Sequence, residues 1–407
     1  MQNSHRKLII SIIILFTVTQ YAILAIFGYT PYPDSNGYMI LAQEAVSYGQ
    51  PYPATQQLEN MDFLWNIGAI NITALSLYLF HSVMPVLFIY TIMKGITAGL
   101  IYLISLKLFN KKTALIALFI YIMYPANYGE STSLLSETPF IFFGLTGVYA
   151  AIRNKYIYSG IFIAIANWFR PMGIIFIAAL IINCLVIKKY KKAVHLVAGY
   201  MFFIFIIGSL SYLRTGNFIY QSKTGWMALL QYSVDHTADK EDDKLMIVET
   251  TNPIEKDKLW QKRCINWIAG HPLQYIKMMP KKLFNTYISD NVNMCTFISD
   301  KQKRKYMYQP VSMYSLRSDF PHYSSVQWLT VFNLLYYYIL MMMFIISLWS
   351  IKLKIIVIPV SVIGVCTMVL LFFGHGEARF HIPLMPFVIM TVAFWITQKI
   401  KYTPIIN

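Results

Sequence analysis

Charged residues are scarce in this sequence. Only 13% of its 407 residues are Asp, Glu, Lys or Arg, 57% are hydrophobic, and the mean hydropathy is +0.51. This hydropathy lies far above that of soluble proteins, which must cover their surface with polar groups. A water-soluble globular protein is therefore excluded.

Cysteine is equally rare, and the usual signatures of soluble enzymes are missing. The four cysteines are scattered and form no CxxC pair, which excludes a disulfide framework and a cysteine-based zinc site. There is no GxxxxGK[ST] loop, no HExxH, no GxSxG and no glycine fingerprint of a dinucleotide site. Any chemistry must come from polar residues placed among apolar segments.

Long apolar runs dominate the sequence. A helix needs roughly 20 apolar residues to cross the hydrocarbon core, and shorter runs must pair. Arg170-Pro171 separates two such short runs by a tight turn, and the first run lacks a cleavage site and is predicted to be a retained anchor. We predict an all-α polytopic membrane protein with about ten transmembrane helices. They are expected at 8–27, 85–108, 113–128, 135–152, 156–169, 171–187, 193–213, 328–350, 355–373 and 380–398.

The charged residues differ between the two predicted sides of the membrane. A net charge of +16 raises the question of a nucleic-acid partner. With these spans, however, one set of alternate loops holds cations and no acid, all 18 acids fall in the other set, and Lys94 lies within a span. The cations of the first set are Arg6, Lys7, Lys107, Lys111, Lys112, Arg153, Lys155, Lys188, Lys189, Lys191, Lys192, Lys352, Lys354, Lys399 and Lys401. The positive-inside rule then predicts a plasma or inner membrane protein with cytoplasmic termini, an external acid-bearing face and no nucleic-acid partner.

Two large loops lie on the predicted external face, at 28–84 and 214–327. Within the first loop, Phe63–Phe80 carries Asn66 and Asn71 among apolar residues, so we predict an interfacial helix there rather than a span. We divide the chain into an N-terminal transmembrane catalytic core (1–213), an external loop domain (214–327) and C-terminal transmembrane helices (328–407).

The late external loop is predicted to be mainly helical. Its interleaved aromatic and lysine residues fit either helices on a membrane surface or a small polar domain with solvated charges. Cys264 and Cys295 both fall in it, and the sequence does not show whether they pair. Its helices are expected at Thr224–Tyr232, Lys256–Ala269 and Pro272–Ile288.

Two acids stand at the predicted external ends of spans. Asp34 follows the first span, where a turn in which it caps a helix Tyr38–Tyr48 would explain it without any function. Glu137 opens a later span, and the helix dipole would equally explain an acid there. Ionisable groups at membrane depth are costly, however, and are usually retained for function.

Two arginines stand at the same face. Arg170 lies in the turn between the two short helices, where it could pair with Glu137 or reach lipid phosphates. Arg379 precedes the last span within Gly374-His375-Gly376-Glu377-Ala378-Arg379, where it could meet a phosphate or simply reach the interface. His375, Glu377 and His381 lack a recognised metal-ligand spacing, and Lys94 is interpreted as snorkelling.

The order of these motifs resembles that of the GT-C membrane glycosyltransferases. The shared features are an external Asp-Ser with a downstream tyrosine and an Ala-Gln-Glu helix, Ser-Glu-Thr opening a span, Trp-Phe-Arg-Pro, and Glu-Ala-Arg-Phe-His-Ile-Pro-Leu-Met-Pro before the last span. The resemblance covers nearly the whole chain. More narrowly, it resembles bacterial relatives of the dolichyl-phosphate-mannose–protein mannosyltransferases and of the lipid A aminoarabinose transferase.

This resemblance implies a polyprenyl-phosphate-linked sugar as donor and an external carboxylate as catalytic base, a position that Asp34 matches. Many members carry a second acid directly after the first, whereas Ser35 follows here, so a bound divalent cation is left open. Glu137 matches the family's acid at the start of a later span, and Arg379 a residue expected near the donor phosphate. Further candidates are Tyr38, Glu44, His375 and Glu377.

The chemistry suits the same residues without the resemblance. A hydroxyl acceptor needs a base to take its proton as C1 of the sugar is attacked, and a phosphate leaving group needs cations. A single base with direct displacement predicts inversion. The sequence identifies neither the sugar nor the acceptor, which could be a protein, a lipid or a glycan. The cations that could bind the phosphate are Arg379, Arg170, Lys281 and Lys282.

Two other functions fit the pattern. A transporter or flippase of lipid-linked sugars would place polar residues near the bilayer midplane on broken helices, where this sequence places only Lys94. A polysaccharide polymerase or ligase would share the substrates but need not use an aspartate after the first span.

Overall fold

The structure is a computed structural model that describes residues 2–235, 242–290, 297, 325–352, 357–374 and 376–402. Within these ranges the chain is built of helices, and its extended backbone forms one isolated antiparallel bridge, between Leu64 and Lys223. The predicted all-α architecture is confirmed. The α-helices are α1 (Gln2–Phe27), α2 (Pro33–Ser47), α3 (Ile67–Phe80), α4 (Met84–Leu108), α5 (Lys111–Met123), α6 (Ala126–Gly129), α7 (Glu137–Ile152), α8 (Tyr156–Phe169), α9 (Ile174–Val186), α10 (Tyr190–Thr215), α11 (Gly225–Val234), α12 (Pro253–Gly270), α13 (Pro272–Tyr287), α14 (Ser325–Ser350), α15 (Val357–Phe373) and α16 (Met385–Tyr402).

Several of these helices are long and apolar enough to cross a membrane. Five of the described helices meet this condition, and a sixth does if Ala126–Thr132 and Glu137–Ile152, which meet at 117°, form one broken span. Shorter apolar helices, α3, α8, α9 and α15, fall on other apolar runs. A multi-pass membrane protein is therefore confirmed, and the total of about ten spans stays a prediction. The five helical stretches are His5–Phe27, Met84–Leu108, Tyr190–Thr215, Trp328–Ser350 and Ala378–Ile400.

The helix on the third apolar run is shorter than predicted. α5 ends at Met123, and Tyr124 is extended with φ −73° and ψ 112°. Pro125 explains the break, because its ring disfavours the helical conformation of the preceding residue. Two short helices follow, α6 and a 3-10 helix (Glu130–Thr132), and irregular backbone then leads to α7. Residues 129–138 are buried in protein, which is the condition for non-helical backbone beside membrane-spanning helices.

Close backbone contact holds α8 against α10. A Cβ atom at Gly160 would lie 2.1 Å from the carbonyl oxygen of Leu196, and one at Gly199 would lie 2.0 Å from that of Ile157. Only glycine fits at either position, as is typical of membrane helices that associate through small residues. The contact fixes α8, and with it the turn to α9 that carries Arg170.

The late loop folds as a helical unit with its own small core. Trp260, Trp267 and Tyr275 are 4–6% exposed and point into it. The outer face of α13 is apolar and exposed at Leu273 and Phe284. Both interpretations of this loop thus have a counterpart: an inner core, and an outer face suited to a membrane surface. Its predicted helices are confirmed, and α13 packs on α15 and on the 3-10 segment Ala378–Leu384.

The first long loop contacts this unit, since Phe63 packs against its core. α3 begins at Ile67, four residues after the predicted start at Phe63, and lies against α2, α4 and α8. Its position in the membrane interface and the domain boundaries at 213 and 328 stay predictions.

Candidate functional site

One large cleft lies between the first loop, the late loop and the segment before the last span. Its volume is about 920 Å³. Three elements supply charged side chains to its floor: the start of α2, the α8–α9 turn, and residues 376–380. The floor residues are Asp34, Tyr38, Arg170, Glu377 and Arg379.

The floor is organised by an ion pair between Asp34 and Arg379. The guanidinium Nη1 donates to Asp34 Oδ2 at 2.6 Å, and Nε lies 2.6 Å from Glu377 Oε1. The guanidinium also lies over the Tyr32 ring, 5.6 Å from its centroid. One arginine thus holds two carboxylates, and its side chain is 12% exposed.

The capping interpretation of Asp34 is wrong. α2 begins at Pro33 and not near Tyr38, so Asp34 lies inside its first turn, and no side-chain hydrogen bond caps this helix. An acid in the first turn still gains from the helix dipole. Its carboxylate, however, faces the cleft, with 26% of the side chain exposed.

A second ion pair joins Glu137 and Arg170. Both side chains are buried, at 2% and 8% exposed, and their charged groups are in direct contact. Arg170 also lies over the Phe380 ring, 5.2 Å from the centroid. Arg170 lines the cleft, whereas Glu137 lies behind it. Removing one partner of such a buried pair costs about 3–5 kcal/mol, because the other charge is left uncompensated.

Asn66 links the two acidic elements. Its side-chain amide donates to the Tyr38 hydroxyl at 2.6 Å and to Ser136 Oγ at 2.9 Å, directly before Glu137. Burial, and to a smaller extent the charges of Asp34 and Glu137, raise the pKa of Tyr38 above its ordinary value. The Tyr38 hydroxyl therefore stays protonated in the physiological range.

The two predicted lysines do not reach the cleft. Lys281 is exposed on α13, and Lys282 is buried with its ammonium group over the rings of Tyr232 and Tyr275, at 5.1 and 4.5 Å from the centroids. Burial lowers the pKa of Lys282 to about 8. Neither lysine lines the cleft, so the prediction that they bind a phosphate there has no support in the geometry.

The remaining candidate residues lie away from the cleft or outside the described residues. Glu44 accepts a hydrogen bond from Gln57 at 3.0 Å, away from the cleft. His375 lies outside the described residues. His381 is fully buried, with Nδ1 2.8 Å from the Thr286 carbonyl oxygen and Nε2 3.1 Å from Asp290.

The sequence analysis missed a buried polar cluster beneath the floor. Lys94 is 3% exposed and pairs with Glu130 at 3.1 Å, so its interpretation as a snorkelling lysine is wrong. Nearby, Tyr124 donates to Asp290, and these groups line a cavity of about 20 Å³. The break at Tyr124-Pro125, followed by Glu130, is the signal that could have revealed the first pair. No local pattern marks Asp290.

The other walls of the cleft were also missed. One is apolar, with Val369, Leu370 and Phe373 of α15. The outermost wall mixes aromatic rings, amides and a further ion pair between Lys223 and Asp257 at 3.2 Å. Within the described part of the chain, no three His, Cys, Asp or Glu side chains lie close enough to hold a metal ion.

Comparison with solved structures finds several likenesses, two of which are described below. No family model matches the chain, and no curated protein matches it. The crystal structure of ArnT from Cupriavidus metallidurans bound to undecaprenyl phosphate is similar with a TM-score of 0.41 and 11% identity, over 97% of this chain and 78% of that one. Apo ArnT from the same organism gives a TM-score of 0.36 and 11% identity, over 94% and 76%. Both structures are of the same protein, ArnT.

Proposed function

We propose that the protein is a membrane glycosyltransferase that moves a sugar from a polyprenyl-phosphate donor to a hydroxyl acceptor. The observation that carries the proposal is the floor of the cleft, where a partly exposed carboxylate, Asp34, contacts the guanidinium group of Arg379 and a second arginine, Arg170, lines the same space. A base and two cations are what such a transfer needs at one place.

The walls support a lipid-linked donor. A phosphate carried on an isoprenoid chain presents a charged group next to a long apolar one. The cleft offers the two arginines at its floor and the α15 side chains Val369, Leu370 and Phe373 along one side. Arginine suits this task because its planar, permanently charged group binds phosphate oxygens with paired hydrogen bonds.

The ion pair indicates how the base is released. In the structure the Arg379 guanidinium occupies Asp34 Oδ2, so this oxygen is not free to contact an acceptor hydroxyl. A donor phosphate competes for the same guanidinium, so its binding frees the carboxylate when the sugar is in place. Glu377 remains on Nε and keeps the guanidinium oriented.

The transfer then proceeds by direct displacement. Asp34 takes the proton of the acceptor hydroxyl as that oxygen forms a bond to C1 of the sugar, while the bond from C1 to the phosphate oxygen breaks. Polyprenyl phosphate leaves with the electron pair, and Arg379 and Arg170 stabilise its growing charge. Attack opposite the leaving group inverts the anomeric centre. Glu137 acts as a positioning residue, because it holds Arg170 from behind.

The charge distribution orients the site. Asp34, Glu137, Glu377 and the late loop all fall in the set of loops that holds every acid. With the positive-inside rule, the cleft is external and both termini are cytoplasmic.

The test follows release of polyprenyl phosphate by the purified protein in lipid nanodiscs supplied with polyprenyl-phosphate sugars. Asp34→Asn is expected to lower the rate by about 10²-fold or more, because it removes the base and keeps the shape. Asp62→Asn is the matched control, since Asp62 is an exposed acid of the same loop outside the cleft. Wild-type turnover by Asp34→Asn would rule out the assigned base.

The buried cluster favours a second candidate, transport of a lipid-linked sugar. The Lys94 and Glu130 pair lies at a break between helices, as in transporters with interrupted spans. Proteoliposomes loaded with labelled polyprenyl-phosphate sugar separate the two functions. Transport moves the intact lipid to the other leaflet, whereas a transferase leaves it in place until an acceptor is added.

A further inference from the structure

We infer that the outer wall of the cleft binds a saccharide, which is the acceptor of the reaction. The acceptor role rests on the proposed function. The chemical class of the ligand rests on the residues of the wall alone. The wall consists of residues that the catalytic steps above do not use: Phe63, Trp65, Gln221, Lys223, Asp257 and Gln261.

A rigid aromatic surface forms one part of this wall. The Phe63 and Trp65 rings are stacked, with centroids 5.4 Å apart and planes within 9°. The Trp65 ring lies directly on α2, since a Cβ at Gly37 would be 2.2 Å from it, and it meets the Tyr38 ring edge-on at 5.3 Å. A sugar ring has apolar C–H faces, and a flat, fixed aromatic surface suits them at low entropic cost.

Polar groups lie on the facing elements. Lys223 and Asp257 pair at 3.2 Å, and Gln261 stands four residues after Asp257, on the same face of α12. Gln221 accepts from Asn167 at 2.8 Å through its amide oxygen. The set contains both donors and acceptors, which matches sugar hydroxyls because each of them donates and accepts.

The same wall is poorly suited to a peptide or an acidic polymer. A peptide that binds by adding a strand would need a free strand edge. The described residues form only an isolated bridge here, in which the Lys223 amide donates to the Leu64 carbonyl oxygen at 2.8 Å. Three cations and four carboxylates line the whole cleft, so its charge does not favour a polyanion. The carboxylates include Asp235 at the outer edge.

The cleft is large for a ligand pocket. Its volume of about 920 Å³ is near the upper end of the range of about 300–1,000 Å³ found for ligand pockets. Floor and outer wall belong to this one space. An acceptor sugar on the outer wall would present a hydroxyl toward the floor, where Asp34 lies.

The test measures binding of short neutral oligosaccharides to the full-length protein in nanodiscs by titration calorimetry. We expect saturable binding, a dissociation constant at least about tenfold higher in Trp65→Leu and in Asp257→Ala, and partial recovery in Trp65→Phe. The matched controls are Trp349→Leu, which removes an 88% exposed tryptophan elsewhere, and Lys258→Ala, which alters the exposed neighbour of Asp257. Both should bind as the wild type does.

Three results would overturn the inference. The first is saturable binding of unstructured peptides and none of oligosaccharides. The second is oligosaccharide binding that Trp65→Leu leaves unchanged. The third is a Trp65→Leu defect confined to polyprenyl-phosphate sugar, which would assign the wall to the donor. If the wild type binds oligosaccharide through Trp65 but releases no polyprenyl phosphate, the proposed function fails and the ligand class of the wall stands.

Discussion

Arg379 and Asp34 are 345 positions apart in the chain, yet Nη1 of one lies 2.6 Å from Oδ2 of the other. The contact joins the segment before the last apolar helix to the segment after the first. It places a fixed positive charge on the carboxylate that we assign as the base. The same guanidinium lines the cleft, and we propose that it receives the donor phosphate.

Arg379→Lys is expected to lower kcat/KM for the donor by about 10²-fold, in line with a loss of 2–5 kcal/mol for a truncated charge pair. Lysine keeps the charge but not the fork that contacts Asp34 and Glu377 together. Steady-state release of polyprenyl phosphate measures the effect. Arg214→Lys is the control, since Arg214 binds the Pro53 carbonyl oxygen outside the cleft. An Arg379→Lys protein with wild-type kcat/KM would contradict the phosphate-binding role.

Glu137 and Arg170 are expected to be coupled in stability. Either Glu137→Gln or Arg170→Gln alone should lower the free energy of unfolding by about 3–5 kcal/mol, because each leaves a buried charge without its partner. The double substitution should cost clearly less than the sum of the two. Denaturant unfolding in detergent, followed by circular dichroism, gives the three values. Additive losses would show that the buried contact between them contributes nothing to the fold.

The sequence predicted much of this site for a local reason. Four charged residues were predicted because each interrupts an apolar run near a helix end, a pattern that can be read from the sequence alone. They are Asp34, Glu137, Arg170 and Arg379. The helices of the late loop were also predicted from local signals, because Pro and Asn residues mark where helices begin and end.

The partners of these residues could not be predicted. The contact of Asp34 with Arg379 depends on which helices are neighbours in space, and one sequence carries no such information. Asp290 illustrates the limit. In the sequence it lies between Ser289 and Asn291, a pattern typical of an ordinary loop. In the structure its side chain is 2% exposed and contacts His381 and Tyr124. Capping was favoured for Asp34 because the predicted helix began several residues too late, and helix starts are the least certain part of such a prediction.

Lys282→Met is expected to raise the apparent melting temperature at pH 7. Burial lowers the pKa of Lys282 from 10.5 to about 8, so at pH 7 the folded protein carries a charge that burial penalises. Between about pH 8 and pH 10.5 the unfolded chain holds the proton and the folded protein does not, so stability from this group rises with pH across that window. Melting curves from pH 7 to pH 10 should show this rise in the wild type and not in Lys282→Met.

Lys281→Met provides the matched control for that experiment. It removes the same charge from the adjacent, exposed position on α13. Its melting temperature should keep the pH dependence of the wild type. Equal profiles for Lys282→Met and the wild type would show that Lys282 is not titrating between pH 8 and pH 10.

Gly376→Ala is expected to damage the floor of the cleft without touching a charged group. Gly376 has φ +72°, a conformation that costs an L-residue with a side chain roughly 1–2 kcal/mol, and a Cβ there would lie 2.9 Å from the Lys282 Cα. The backbone of α13 cannot yield as a flexible side chain would, so the turn must move, and Glu377 and Arg379 move with it. Donor KM should therefore rise and the melting temperature fall. Gly364→Ala in α15 is the control, because nothing lies within 4 Å of its Cβ position and alanine favours the helix. If both variants keep the wild-type donor KM, the turn at Gly376 does not position Arg379.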